Sequence, residues 1–292
     1  MAKTSLPYYL SSGSKLTFQH LQYGEMRATV LPFSASAFST YHVVLVRIDD
    51  IKIPCAMFPG MELIVKIYDP RFNRCSPRAP WSEATEAAAA RIHNGQLAFD
   101  PKHRPSLFLA DPKGQPVEYE VLVYQTMAWF QRNELLAYTH LAPLQGALVP
   151  VCYGGGALEL GGTAPPRAIA PPVVFLERVR DAVPLDAVPA DRLTAPLLRA
   201  LLDGADVLKA HGVIHTDANE ANFLLAPAHR PARVVTIDFG DSWTRDAAED
   251  EEDWEGAKEE WDTRHHRKVM LNRKFEGAGL PVPDFVALRL DK

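Results

Sequence analysis

The sequence predicts an α+β protein with a β-rich N-terminal part and a mainly helical C-terminal part. Residues 41–49 and 62–69 are rich in β-branched side chains and are bounded by Pro, Gly or Asp, which is typical of strands. Residues 118–141 and 191–209 instead carry apolar side chains at helical spacing. With 292 residues, 47% of them hydrophobic and 23% charged, the chain is long enough for one large or two modest globular domains.

Composition and charge exclude several classes of protein. The net charge of −5 argues against a nucleic-acid partner, and no apolar stretch reaches the roughly 20 residues that span a bilayer. The N-terminus lacks the apolar core and cleavage site of a signal peptide. Three cysteines at irregular spacing, Cys55, Cys75 and Cys152, fit neither a disulfide framework nor a zinc site. We therefore expect a cytoplasmic protein, with the nucleus left open.

A serine-rich segment, residues 34–39, precedes the strand predicted at 41–49. Its serines are Ser34, Ser36 and Ser39, and Phe38 directly precedes the last of them. A hairpin turn without a ligand is one interpretation of such a segment. The second strand carries Lys66 between Val65 and Ile67, where a lysine is either a solvated surface residue or a functional one.

Residues 71–117 are rich in Pro, Ala and Asp and interrupt this pattern. We interpret them as an insertion that caps the N-terminal part or binds a partner. Its alanine-rich piece, residues 82–92, predicts a helix because alanine has the highest helix propensity, with Ser82 as N-cap.

The next elements are a helix and two strands. Residues 118–141 form the predicted helix, whose buried-face candidates include Glu134, with Glu120 as a rival acid. Residues 144–156 and 173–179 read as strands joined by a Pro-rich connection. We interpret the triple glycine at 154–156 as a turn, because no Lys-Ser/Thr pair follows it as in a phosphate-binding loop.

The most informative motif follows the helix predicted at 191–209. His215, Asp217 and Asn222 stand in the order H-x-D-x-x-x-x-N, and Asp238 opens an Asp-Phe-Gly turn after the strand predicted at 233–237. Carboxylate and amide oxygens are suitable ligands for Mg²⁺, and a further carboxylate can accept the proton of an attacking hydroxyl. The alternative interpretation is an Asp/Asn-rich turn followed by an ordinary strand.

Little chain follows the Asp-Phe-Gly turn. No Ala-Pro-Glu sequence occurs there, and the segment contains an acidic run near 247–261 and a basic run near 263–275. An acidic run is usually a solvated face or a flexible loop, whereas the apolar residues within the basic run predict a final helix.

The combined motif resembles the catalytic and metal-binding loops of the protein kinase superfamily. The short tail is similar to the reduced branch of that superfamily, which includes RIO-type kinases and the aminoglycoside and choline phosphotransferases. The run at 133–150, with the later LERV and IDFG, also looks similar to fungal-type kinase-like proteins. The resemblance covers roughly residues 30–70 and 118–245. It implies a bilobal fold, with an N-lobe at 1–176 that carries the insertion and a C-lobe at 177–292.

The resemblance also implies a role for each candidate residue, with ATP and Mg²⁺ as cofactors. Asp217 is the base, His215 braces its loop or, alternatively, takes part in catalysis, and Asn222 and Asp238 bind the metal. Lys66 contacts the phosphates and pairs with Glu134. The remaining nucleotide contacts are Ser34, Ser36, Phe38 and Ser39 in the phosphate loop, Phe175 at the back of the adenine pocket, and the backbones of Glu177 and Val179.

Two functions follow from this resemblance. The first is phosphoryl transfer from ATP to a hydroxyl of a protein or small-molecule acceptor. The second is a pseudokinase or nucleotide-binding interaction module, because serines replace the glycines that let a backbone approach phosphates closely. The sequence does not identify the acceptor.

Overall fold

The computed structural model describes residues 10–33, 41–53, 56–72, 81–93, 111, 113–159, 168–245 and 251–288. The chain divides into two compact units: one contains Met1–Leu135 and Cys152–Arg178, the other Leu136–Val151 and Val179–Lys292. Across the described residues, no helix combines the length and apolarity that crossing a membrane requires. The lobe boundary at 176/177 stays a prediction.

Six antiparallel strands of the first unit close into a barrel in the order β1-β2-β3-β4-β6-β5. Alternate side chains of each strand fill its interior, where Phe18 packs edge-on against Phe175 at 5.4 Å between ring centroids. The strands are β1 Lys15–His20, β2 Gly24–Leu31, β3 His42–Ile51, β4 Glu62–Ile67, β5 Cys152–Glu159 and β6 Pro172–Glu177. Closure leaves no free sheet edge in this barrel.

The triple glycine lies inside strand β5, so its prediction as a turn is wrong. A Cβ on Gly156 would lie 2.3 Å from the Gln19 backbone oxygen, and one on Gly155 would lie 2.7 Å from Leu135 Cδ1. Glycine is therefore required at position 156, where the β1 backbone approaches too closely for any side chain. At position 155 a side chain would displace those of Leu135 and Gln131. Strand β5 also begins later than predicted, at Cys152.

Two helices complete the described part of the first unit: α1, Glu83–His93, and the first residues of α2, Pro116–His140. The helix predicted at 82–92 is confirmed as α1. Its Glu86 carboxylate is 1% exposed and accepts hydrogen bonds from Trp81 Nε1 at 2.6 Å, Ala168 N at 2.9 Å and Ile169 N at 3.2 Å. These bonds attach the inserted helix to the segment that leads into β6.

The described residues of the second unit form three further helices and five short strands. Its core consists mainly of leucines and aromatic residues from α3, β9 and α5. The elements are β7 Val183–Pro184, α3 Ala195–Ala210, β8 Val213–Ile214, β9 Phe223–Ala226, β10 Arg233–Thr236, β11 Trp243–Thr244, α4 Glu251–Glu260 and α5 Thr263–Gly277. Three strands pair in the order β10-β9-β7, and β11 pairs with β8.

These elements confirm the predicted α+β class and correct two details. Helix α3 begins at Ala195 rather than 191, because Pro196 fits the first helical turn and Thr194 precedes it in an extended conformation. The described part of the acidic run forms helix α4, which buries Trp254 and Ala257 while its acidic side chains remain exposed. The basic run forms the predicted final helix, α5.

Candidate active site

The ion pair expected between Lys66 and Glu134 is present in the first unit. Lys66 Nζ lies 2.6 Å from both Glu134 carboxylate oxygens, and the two side chains are 5% and 0% exposed. The rival acid, Glu120, lies fourteen residues earlier on α2, about 21 Å away along the helix. The structure therefore brings Glu134, and not Glu120, to Lys66.

Two tyrosines that the sequence analysis missed complete this buried group. Tyr68 Oη donates a hydrogen bond to Glu134 Oε2, and the Tyr41 ring centroid lies 4.2 Å from Lys66 Nζ. The two tyrosine rings are 5.0 Å apart. Since residues two apart on a strand share a face, the position of Tyr68 was a usable signal in the sequence.

Helix α2 is held against the barrel by a second polar contact, one turn before Glu134. Gln131 Nε2 donates to the backbone oxygens of Gly156 at 3.0 Å and Val173 at 2.8 Å. The absence of a side chain at Gly155 gives Leu135 room to pack there. Together these contacts fix the distance between α2 and β4, and hence the contact between Glu134 and Lys66.

Phe175 does not lie beside Lys66. It pairs with Val65 and points into the barrel core, whereas Lys66 pairs with Val174 on the outer face. Leu176, next along β6, shares that outer face and is paired with Ile64. Phe175 therefore lies in the barrel core, and the β6 residue paired with Lys66 is Val174. The predicted place of Phe175 at the back of an adenine pocket stays a prediction.

The other predicted nucleotide contacts are only partly described. Glu177 ends β6, and Val179 follows as a half-buried residue of the second unit. Ser34, Ser36, Phe38 and Ser39 lie outside the described residues. The roles predicted for all six remain predictions.

In the second unit, two antiparallel ladders place the motif residues. Strand β8, which leads into His215, pairs with β11 after the Asp-Phe-Gly turn. Strands β9 and β10 pair with Phe223 opposite Thr236, and Ile237 N donates to Asn222 O at 2.9 Å. Asp238 follows Ile237 directly, so Asn222 and Asp238 lie at the same end of the β9-β10 hairpin.

Asn222 and Asp217 are joined by a side-chain hydrogen bond. Asn222 Nδ2 donates to Asp217 Oδ2 at 2.9 Å and to the Asp217 backbone oxygen at 3.2 Å. Because both acceptors are oxygens that cannot donate, the amide nitrogen must face them and Asn222 Oδ1 must point elsewhere. Asn222 is buried, whereas Asp217 is exposed and can be reached by a solute.

Asp238 has a left-handed backbone conformation, with φ of 70°. Non-glycine residues adopt it uncommonly, with Asp and Asn among those that tolerate it best. The next residue, Phe239, is fully buried between the rings of Tyr138 and His215, at 5.3 and 5.1 Å between centroids. A buried anchor therefore fixes the position of Asp238 from its C-terminal side.

His215 is hydrogen-bonded next to the Asp-Phe-Gly turn, and its role there stays a prediction. Its Nε2 lies 2.9 Å from the Ile237 backbone oxygen, which can only accept, so Nε2 carries the proton. Its Nδ1 is buried and has no hydrogen-bond partner among the described residues. Burial, followed by the nearby Arg267 charge, lowers the pKa of His215 below the ordinary 6.5, so the ring is neutral at pH 7. The buried position makes the alternative catalytic role less suitable than that of the exposed Asp217.

The neutral His215 predicts a pH-dependent stability. Below about pH 6.5 the unfolded chain binds a proton at this histidine that the folded chain excludes, so stability falls as the pH falls, by at most about 1.4 kcal/mol per pH unit. Urea midpoints at pH 7.5, 6.5 and 5.5 should decline less steeply in His215→Gln. His20, whose pKa burial also lowers, leaves a residual slope. Parallel profiles for both proteins would contradict the assignment.

Neither a family model nor a curated protein matches the chain. Among solved structures it is similar to the complex of Rio2 kinase from Chaetomium thermophilum with ADP, Mg²⁺ and phosphoaspartate, at 16% identity, 86% coverage of this chain, 66% coverage of that chain and a TM-score of 0.34. It is also similar to the ROP18 kinase domain in complex with AMP-PNP and sucrose, at 14% identity, coverages of 82% and 59%, and a TM-score of 0.40. The chain spans less than two thirds of the length of either structure.

Proposed function

We propose that this chain is an ATP- and Mg²⁺-dependent phosphotransferase that transfers the γ-phosphoryl group to a hydroxyl of a protein or small-molecule acceptor. One observation carries the proposal. Asn222, held by its hydrogen bond to the exposed Asp217, lies at the same end of a hairpin as Asp238. This arrangement supplies two oxygen ligands and a nearby proton acceptor.

The chemistry of these ligands fits Mg²⁺. The Asp238 carboxylate and the Asn222 amide oxygen are hard donors, and Mg²⁺ is commonly held by one or two such groups together with substrate phosphates and water. The described residues contain no cluster of three His, Cys, Asp or Glu side chains that could hold a metal. We therefore expect the ion to bind with the nucleotide rather than before it. When bound, it neutralises negative charge on the phosphates.

The proposed reaction is a displacement at phosphorus. The acceptor oxygen forms a bond to the γ-phosphorus, the bond between that phosphorus and the bridging oxygen to the β-phosphate breaks, and ADP leaves. Asp217 takes the proton of the acceptor hydroxyl as the new bond forms. Its hydrogen bond from Asn222 orients the carboxylate.

Lys66 supplies the positive charge for the nucleotide phosphates in this proposal. A lysine ammonium is a compact charge on a flexible stem, and Glu134, Tyr68 and Tyr41 restrict where it can lie. A restrained ammonium loses less freedom when it binds a phosphate.

A melting-temperature titration with ATP, with and without Mg²⁺, followed by an assay for ADP, tests the proposal. ATP at about 100 times its Kd should stabilise the wild-type protein by about 2.7 kcal/mol. The increase in melting temperature that ATP causes should contain a part that depends on Mg²⁺. Asp238→Asn, which removes the carboxylate charge at nearly constant side-chain size, should lose that part. Asp191→Asn, an exposed acid on a different turn of the same unit, is the matched control and should behave like the wild type.

The outcomes separate the possible functions. Mg²⁺-dependent binding with ADP release supports the phosphotransferase. Binding without ADP release, across varied hydroxyl acceptors, favours the nucleotide-binding module instead. A wild-type protein that ATP does not stabilise under either condition overturns both.

A further inference from the structure

The C-terminal helix α5 carries two basic side chains that are buried rather than solvated. Arg267 is 1% exposed, and the Lys274 side chain is 9% exposed. They are seven residues apart, or two helical turns, and so lie on one face of the helix. Each contacts the loop that contains Asn222, one on either side of that residue.

Lys274 contacts the loop on the N-terminal side of Asn222. Its Nζ lies 2.6 Å from Glu220 Oε2, and the Glu220 side chain is 24% exposed. Glu220 opens the short 3-10 turn Glu220–Asn222 that carries the asparagine. An ion pair with this degree of burial is screened less than a surface pair, so it can hold the turn in place.

Arg267 contacts the loop on the C-terminal side. Its guanidinium carbon lies 4.8 Å from the centroid of the Phe223 ring, and Phe223 directly follows Asn222. Arg267 Nη1 donates to the Leu201 backbone oxygen on α3 at 2.5 Å. The guanidinium thus links the body of the unit to the residue next to the candidate metal ligand.

The burial of Arg267 is costly to the fold. No carboxylate lies within ion-pair distance of it, and its Nη2 has no hydrogen-bond partner, among the described residues. Burial lowers the pKa of Arg267 to about 10. A charge buried without an ion-pair partner carries a desolvation cost that an apolar side chain of similar volume does not, so stability alone does not account for an arginine at this position.

We infer that α5 is a positioning element for phosphoryl transfer, in which Lys274 and Arg267 hold Glu220 and Phe223 so that Asn222 presents its amide oxygen to the metal. The inference rests on the proposed function. Partners of metal ligands outside the coordination shell typically change metal affinity or activity by about 10–100-fold when they are lost. Lys274 and Arg267 belong to this class of residue.

A charge-reversal cycle tests the inference. Lys274→Glu and Glu220→Lys should each raise the Mg²⁺ concentration for half-maximal ADP release, with water as acceptor, by about 10-fold or more. The double variant restores an opposite-charge pair and should return to within about 3-fold of the wild type. Arg273→Glu, an exposed reversal on the same helix, controls for net charge, and Lys274→Met removes the pair without creating repulsion.

Arg267→Met distinguishes a positioning role from a purely structural one, because a purely structural role would not change kcat or the Mg²⁺ response in a variant that stays folded. We expect an unchanged or higher melting temperature together with a lower kcat and a weaker Mg²⁺ response. Single variants at Lys274 and Glu220 that match the wild type, or a well-folded double variant as impaired as the singles, would overturn the inference. Failure of the proposed function is a distinct result, because the wild-type protein itself would then release no ADP.

Discussion

Replacing Asp217 with asparagine is expected to lower ATP turnover by about 10²–10⁴-fold, the usual contribution of general acid–base catalysis. The exposed carboxylate is the group that accepts the acceptor proton in the proposed reaction, and a neutral amide cannot accept it. Initial rates of ADP release at saturating ATP and Mg²⁺ measure the effect.

The substitution is well suited to separate chemistry from folding. Asp217 Oδ2 accepts from Asn222 Nδ2, and an asparagine at 217 can offer its amide oxygen to the same donor. The loop should therefore keep its conformation, and the nucleotide-induced melting shift should stay close to that of the wild type. The control Asp191→Asn should keep both activity and binding.

A kcat for Asp217→Asn within a few-fold of the wild-type value would show that this carboxylate is not the base. If the same variant also lost most of its nucleotide binding, the lower kcat would have a different cause, because Asp217 would then be one of the groups that hold the nucleotide. Comparing kcat with the melting shift distinguishes these results.

The parts of the fold that could be predicted are those in which neighbours in sequence determine structure. The β-branched runs around Val44 and Val65 gave strands, and the leucine spacing near Leu201 gave a helix. The motif from His215 to Asp238 could also be recognised from the order of its residues, and its chemistry stays a prediction. Local patterns carry this information because strand and helix periodicities repeat within a few residues.

The contacts that could not be predicted depend on residues far apart in sequence. The triple glycine lies in a strand because β5 pairs with β1 and β6, and the Gln19 backbone of β1 leaves no room for a side chain at Gly156. A glycine run by itself indicates a turn equally well. Phe175 faces the barrel interior because of the register of β6 against β4. Residues 172–176 of β6 are all apolar and buried, so the sequence does not reveal which of them face the barrel interior.

The candidate site likewise contains residues that could be predicted from the sequence and contacts that could not. Glu134 could be proposed from its phase on the helix, with Glu120 as a rival acid on the same helix. The contacts of α5 with Glu220 and Phe223 could not, because a basic C-terminal run is usually solvated. Their burial is visible only once α5 packs against α3.

Replacing Glu134 with alanine is expected to destabilise the first unit by about 3–5 kcal/mol, the usual effect of removing one partner of a buried ion pair. Lys66, with a side chain 5% exposed, would lose its carboxylate, and Tyr68 Oη would lose this acceptor. Urea denaturation, followed by the shift in midpoint at constant slope, measures the loss. An exposed acid on the same helix, Glu118, provides the matched control as Glu118→Ala.

The double variant Lys66→Met/Glu134→Leu separates the two roles of the pair. Two apolar side chains of similar volume remove both buried charges, so the fold should recover most of the stability that Glu134→Ala loses. ADP release should remain low, because no ammonium is left to bind the phosphates. A double variant that turns over ATP at the wild-type rate would show that the pair is structural only, and a Glu134→Ala midpoint equal to that of Glu118→Ala would show that the buried contact contributes little to stability.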